Sequence, residues 1–402
     1  MSQNQRVHLV NEDEEHKVST IELFFDLVFV YAITPTTQLM ANHYTVLGLA
    51  QGLAMLAVLW WCWCAYAWLG NTVHVDRGVT RFAIFGAMAM MFLASMTIPE
   101  AFTNSPGGLY GPIMFVACYF AVRMLHLVAF FQAAKDAALR RTVLHAVPSL
   151  LLSVAILAGA AFTTGLVQMS LWILALAFEY GGVYYIARRA GGRLTSPAHF
   201  AERFRLIVII ALGESILNIG IGIRGFPMSW LVALAGTCGL ALAAGMWWMY
   251  FDVVAHASEH KLSSATGIER AKIASDSYAY LHLPLIAGIV LAALGLMKAL
   301  HNVADTGHHT ASEAMHGTPI WALTAGVAMY LIALSALRRR NLGRWDHQQL
   351  VLAAVLLAVT PALEHVPAAA LVGIVAAAPL GLAAFESFLK DFGVPPGARR
   401  SR

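Results

Sequence analysis

Twelve apolar runs, each about as long as a bilayer is thick, constrain this chain more than any other feature. They fall near residues 20–42, 46–69, 81–100, 109–132, 141–163, 168–188, 203–223, 228–251, 278–300, 318–337, 348–365 and 367–389. About 20 apolar residues suffice for a helix to cross the hydrocarbon core. Within that core a continuous helix satisfies every backbone polar group internally. Composition agrees: 59% of residues are hydrophobic and 12% charged, against about 45–50% and about 25% in soluble domains. The expectation is an all-α polytopic membrane bundle of about twelve transmembrane helices. A soluble globule could not cover so much apolar surface, and a disordered chain would not carry it. The third run is short and ends at Pro99-Glu100; the last two are separated only by the tight turn at Glu364, His365 and Pro367.

Basic residues set the expected orientation. Arg77 and Arg81 follow run 2, and Lys135, Arg140 and Arg141 follow run 4. Arg188, Arg189, Arg193, Arg203 and Arg205 lie between runs 6 and 7, or at the start of run 7. Lys261, Arg270 and Lys272 follow run 8, and Arg338, Arg339, Arg340 and Arg344 follow run 10. The intervening loops carry only Arg224 and Lys298. The positive-inside rule then places both termini in the cytoplasm. The formal net charge of +4 is thereby parcelled out by topology and gives no sign of a nucleic-acid partner. Met1 to Thr20 is polar and acidic, unlike a cleavable signal peptide. Cys62, Cys64, Cys118 and Cys238 sit in apolar runs without C-x-x-C spacing, as packing residues do.

The halves resemble one another. At a shift of 180, Glu22 matches Glu202, Phe24 matches Phe204, Val28 matches Val208 and Val30 matches Ile210. Trp60-Trp61 finds a counterpart in Trp247-Trp248, and Phe178-Glu179 in Phe385-Glu386. These matches predict a parallel repeat of two six-span halves, 20–190 and 191–389. A polar tail at 1–19 and a basic tail at 390–402 would flank them, both cytoplasmic. Thr34-Pro35 and Gly213-Glu214-Ser215 are expected to interrupt runs 1 and 7 at corresponding depths, as in transporters that bind solute near the midplane.

Charges inside the runs are the functional candidates, because each costs at least about 2.5–3.5 kcal/mol near the bilayer centre. Glu22 and Asp26 are one turn apart on run 1 and share a face. Asp26, Arg123 and Glu179 fall at similar depth and are expected to cluster, with His126 one turn from Arg123. One arginine cannot neutralise two carboxylates, and a spare carboxylate in a low-dielectric setting can carry a proton. A structural ion pair and an anion-binding arginine are the competing readings. Glu214, with Ser215 and Asn218 on the same side of run 7, is the leading midplane site for a proton or substrate. Glu202, Asp252, His256 and His282 are candidates for a cytoplasmic gate, although interfacial anchors have the same composition.

The loop with His301, Asp305, His308, His309, Glu313 and His316 is expected to face the exterior and respond to acid rather than hold a metal. The stretch 255–276 could form a short amphipathic surface helix. There is no phosphate-cradling Gly-Lys-Ser/Thr loop, and Ser215 lacks the second glycine of a nucleophile elbow. The sequence thus suggests no catalytic residues and no cofactor.

Several stretches resemble the bacterial low temperature requirement A (LtrA) family: Glu22 to Val30 (ELFFDLVFV), His199 to Phe204, Leu212 to Ile216, Tyr250-Phe251-Asp252, and Tyr278 to Pro284. The resemblance spans about Glu22 to Leu389. It implies a multi-pass protein of the bacterial inner membrane and brings no established activity. Secondary transport of a small solute or ion, with protons as the candidate coupling ion, is the leading expectation. A membrane-embedded lipid-modifying or lipid-handling enzyme is the first alternative, and a sensor or scaffold the second. The bilayer and the solute would be its partners, and self-association is compatible with the sequence.

Overall fold

The computed structural model describes residues 18–134, 137–190 and 194–391. Nearly all of both expected tails, with Lys135 and Arg193, lie outside the described residues. Fourteen helices follow in order: α1 (Thr20–Asn42), α2 (Val46–Thr72), α3 (Gly78–Thr97, then a 3-10 turn at Ile98–Glu100), α4 (Gly111–Ala133), α5 (Ala137–Ala160), α6 (Gly165–Ala190), α7 (Pro197–Gly222), α8 (Trp230–Met249), α9 (His256–Ser264), α10 (Gly267–Ile273), α11 (His282–Ala304), α12 (Thr318–Leu342), α13 (His347–Leu363) and α14 (Ala368–Asp391). No strand occurs among the described residues beyond an isolated bridge between Ala314 and Pro367. Eleven spans are long and apolar enough to cross a membrane, and α13, with 17 residues, is a shorter apolar helix. At about 1.5 Å per residue it covers about 25 Å, the lower limit for a crossing.

Helix starts follow local chemistry. Thr45 Oγ1 accepts from Gly48 N at 3.0 Å, and Ser229 Oγ from Val232 N at 3.2 Å. Asp346 Oδ1 accepts from Gln348 N and Gln349 N at the start of α13. Each side chain satisfies an amide that has no partner inside its helix. α12 ends at Gly343, whose φ of 77° only glycine adopts readily.

Two expectations about local structure are corrected. Runs 1 and 7 are not broken: α1 passes through Pro35 and α7 through Gly213-Glu214-Ser215. Beyond Pro35, the hydroxyls of Thr36 and Thr37 bond back to Ala32 O (2.8 Å) and Ile33 O (3.1 Å). Nor is 255–276 a separate surface helix. α8 continues through a π turn at Tyr250–Ala255 into α9, and α10 continues through a π turn at Ala274–Tyr280 into α11. In each case the histidine that follows the π turn reaches the carbonyl five residues back: His256 Nδ1 lies 3.0 Å from Phe251 O, and His282 Nδ1 lies 2.8 Å from Ser277 O.

The chain forms two compact units. The first comprises Met1–Ile207 with Glu259–Leu283, and the second Val208–Ser258 with Pro284–Arg402. In the first unit α1 packs on α2 and α3, α3 on α4, α5 on α6, and α2 on both α4 and α6. In the second, α8 packs on α14 and α12 on α13. There α11 and α12 approach backbone to backbone: a Cβ on Gly326 would sit 2.4 Å from Ala292 N, and one on Gly288 would sit 2.6 Å from Tyr330 N. Small residues permit such close crossings where lipid supplies no hydrophobic drive. The surface is apolar, with Phe24, Leu27, Phe82 and Trp230 exposed, while Glu22, Asp26, Arg123, Glu179, Arg203 and Glu214 are buried.

Candidate functional site

The first unit buries an arginine between two carboxylates. Glu22 and Asp26 project from one face of α1, and Arg203 projects from the second turn of α7. Arg203 Nη1 donates to Glu22 Oε1 at 3.0 Å, and Nη2 donates to Asp26 Oδ1 at 2.5 Å. Glu22 also accepts from Ser19 N and Ser19 Oγ, both at 2.9 Å, and lies 3.2 Å from His199 Nε2. Asp26 Oδ1 accepts from Trp63 Nε1 at 2.7 Å, and the Arg203 guanidinium lies 5.5 Å from the Trp63 ring centre. Asp26, Glu22, Arg203 and His199 are all at most 2% exposed. Room for Glu22 is made by α2, where a Cβ on Gly70 would sit 2.3 Å from Glu22 Oε1.

This cluster carries two carboxylates and one guanidinium. Asp26 Oδ2 is buried and accepts no hydrogen bond among the described residues. A buried carboxylate oxygen without a donor is costly, and a proton on that carboxyl would remove its negative charge.

Arg123 and Glu179 also meet, at 3.0 Å between Nε and Oε1. Tyr119, one turn from Arg123 on α4, donates to Glu179 Oε2, and Ser153 on α5 donates to the same oxygen at 3.3 Å. The expected triad therefore resolves into two separate pairings: Arg123 with Glu179, and Asp26 with Arg203. The aromatic segment of α2 supplies residues to both. Trp63 bonds Asp26, while Tyr66 donates to Val122 O at 2.9 Å and packs against His126, ring centres 5.6 Å apart.

In the second unit Glu214 is buried about 12 Å from the C-terminal end of α7, at about 1.5 Å per residue. Its Oε1 accepts from Asn218 Nδ2 at 3.0 Å, and the same amide reaches Glu214 O at 2.9 Å. Ser215 is buried beside them. The gate candidates occupy unlike settings: Glu202, Asp252 and His256 are exposed, whereas His282 is fully buried. His282 packs against Phe204 and stacks on Tyr278. In the loop between α11 and α12 His309 Nδ1 lies 2.7 Å from Glu313 Oε1, and His308 Nδ1 lies 2.9 Å from Asp305 Oδ2. The bond from His309 holds the Glu313 carboxyl below the usual carboxylate range.

Sequence reasoning treated Arg203 as a basic residue at the mouth of run 7. The apolar stripe Phe200, Phe204, Ile207 and Ala211, buried on one side of α7, was the signal that could have placed it inside. Arg338, Asp346 and Glu386 form another cluster, on helices whose basic and acidic ends gave no sign of it in sequence. Arg338 bonds Asp346 Oδ2 through Nη1 and reaches Glu386 Oε2 through Nη2 at 2.9 Å.

Comparison with known proteins supplies the family. The description Bacterial low temperature requirement A protein (LtrA) matches residues 17–384. The chain belongs to the LtrA family. The match takes in Glu22, Asp26, Arg123, Glu179, Arg203, Glu214 and Arg338, and stops just short of Glu386. The chain is also 27% identical over 343 residues to Uncharacterized protein RA0937 of Rhizobium meliloti (strain 1021), covering 82% of this chain and 81% of that protein. No solved structure matches the chain.

Proposed function

We propose that this LtrA-family protein is a proton-coupled secondary transporter of a small solute in the bacterial inner membrane, with both termini in the cytoplasm. The observation that carries the reading is the unmatched acceptor beside Arg203: Glu22 and Asp26 are buried against one guanidinium and the His199 imidazole, and Asp26 Oδ2 lacks a donor. Such a site has a place for a proton inside a largely apolar bundle. Intramembrane ionisable groups of this kind mark proton relays in pumps and transporters.

In this reading Asp26 takes up the proton, Glu22 and His199 hold Arg203 in place, and Glu214, Ser215 and Asn218 offer polar groups to the solute. Arg123 and Glu179 form a second charged element, fixed by Tyr119 and Ser153. The two halves of the sequence repeat would supply the symmetry that alternating access requires. The π turns at 250–255 and 274–280 stand within a few residues of the points where the chain passes from one unit to the other, and Glu202, Asp252, His256 and His282 would act near them. π turns inside helices are frequent at functional sites.

The test is flux. The protein is reconstituted in liposomes loaded with a pH-sensitive dye and challenged with pools of small metabolites. A solute-dependent proton flux that Asp26→Asn abolishes, in a folded variant, supports the reading. A solute flux that moves no protons, or proton flux unchanged in that variant, refutes it. A lipid-handling enzyme is the second reading. Exposed Asp252 and His256, one turn apart at a π turn, favour it, and phospholipid turnover by the reconstituted protein would decide for it.

A further inference from the structure

We infer that the second unit contains a binding site for a monovalent inorganic cation, formed by Glu386 and Gln349 beside Arg338 and Asp346. Charge is the first argument. Arg338 lies within ion-pair distance of both Asp346 and Glu386, so two carboxylates again share one guanidinium. All three side chains are largely buried, at 11% to 14% exposure.

The second argument is the pattern of unused acceptors. Arg338 takes Glu386 Oε2, and Glu386 Oε1 is buried without a donor among the described residues. The Asp346 carboxylate is fully used: Oδ2 by Arg338, Oδ1 by the amides of Gln348 and Gln349. Gln349 is fully buried, and neither its amide oxygen nor its amide nitrogen has a partner among the described residues.

The local sequence explains why. Asp346-His347-Gln348-Gln349 has the spacing of a capping box, in which the fourth residue reaches back to the amide of the first. That amide is already taken, because Asp346 N donates to Ser335 Oγ at 3.0 Å. Gln349 is left with a buried, unused amide. Side chains on a helix lean toward its N-terminus, and the N-terminus of α13 is where Asp346 caps the helix and meets Arg338.

A buried amide and a buried carboxylate oxygen without partners together cost several kcal/mol. A cation of sodium or potassium size, taking Glu386 Oε1, Gln349 Oε1 and water as ligands, would satisfy both oxygens and bring the cluster to neutrality. Oxygen ligands are what such hard cations take. Water on Arg338 Nε and on the Gln349 nitrogen would complete the set. The site is separate from the Asp26 cluster and does not depend on the protein being a transporter.

Binding of radioactive sodium and of thallium(I), a potassium surrogate, to the purified full-length protein tests it in sodium- and potassium-free choline buffer. The expected result is saturable binding, one ion per chain, displaced by unlabelled sodium or potassium and not by more choline. Glu386→Gln and Gln349→Leu should each weaken it at least about tenfold, while Asp26→Asn leaves it unchanged. If Glu386→Gln fails to fold, Gln349→Leu carries the test alone. No saturable binding to the folded wild type, or undiminished binding in a folded Glu386→Gln or Gln349→Leu protein, overturns the inference. The unchanged Asp26→Asn control separates this outcome from failure of the proton site.

Discussion

Replacing Gly70 by alanine should destabilise the protein in a way that reverses sign when Glu22 is removed. The new Cβ would lie 2.3 Å from Glu22 Oε1 and 3.5 Å from Arg203 Nη1. A carbon–oxygen contact settles at about 3.3 Å or more, so the carboxyl must retreat by about 1 Å. A free glutamate would move at little cost. This one is held by Ser19, His199 and Arg203, and the retreat carries the 3.0 Å bond to Arg203 Nη1 out of hydrogen-bonding range. Loss of a buried bond between charged groups costs about 1.5–3 kcal/mol. Alanine in a helix returns up to about 1 kcal/mol relative to glycine, which leaves a net loss of about 1–2 kcal/mol. In a Glu22→Ala background the new methyl group meets Arg203 Nη1 at an ordinary contact distance of 3.5 Å, and the same substitution should stabilise by up to about 1 kcal/mol. Reversible unfolding in mixed detergent, run as a double-mutant cycle, reads both values. An equal loss in the two backgrounds would refute the packing of Glu22 against Gly70.

Arg123→Ala should destabilise by about 3–5 kcal/mol, because it leaves Glu179 charged and buried; the same unfolding assay should find the Arg123→Ala, Glu179→Gln protein markedly closer to wild type. Gly326→Leu should cost at least about 1–3 kcal/mol, since its Cβ alone would lie 2.4 Å from Ala292 N in the α11–α12 crossing; monodisperse yield and melting temperature in detergent measure it. The Glu313 carboxyl is held below its usual range in the folded loop. The loop's bond to His309 therefore contributes order above the range where free glutamate titrates, and loses it as pH falls through the lowered value. Amide exchange over 309–316 should rise below about pH 4, and Glu313→Gln should reduce that dependence.

The sequence carried the helices more fully than their partners. Continuous apolar runs announce spans by length alone, and Glu22 and Asp26 could be set on one face from helical spacing. Arg123 and Glu179 were visible because an isolated charge in an apolar run has to be paired. Arg203 was hidden by its neighbours. It sits among Arg188, Arg189, Arg193 and Arg205, and a run of basic residues reads as topology unless the apolar stripe beside it is followed around the helix. Its partner Asp26 lies 177 residues away, a separation that no local pattern encodes. Arg338 was hidden in the same way at the head of Arg338-Arg339-Arg340. The π turns leave no mark in composition, so 255–276 read as a separate surface helix where the backbone instead continues from α8 and into α11. Pro35 and Gly213 looked like breaks because both residues weaken isolated helices, yet surrounding packing keeps α1 and α7 continuous.

Infrared spectroscopy of the purified protein at neutral pH tests the central claim, a proton bound at Asp26, most directly. A protonated carboxyl absorbs apart from an ionised carboxylate, and a dry, donor-free one stands out further. The account predicts a carboxylic-acid carbonyl band that shifts in deuterium oxide, disappears in folded Asp26→Asn and persists in Glu386→Gln. A spectrum without such a band, or one in which folded Asp26→Asn retains it, would contradict the account.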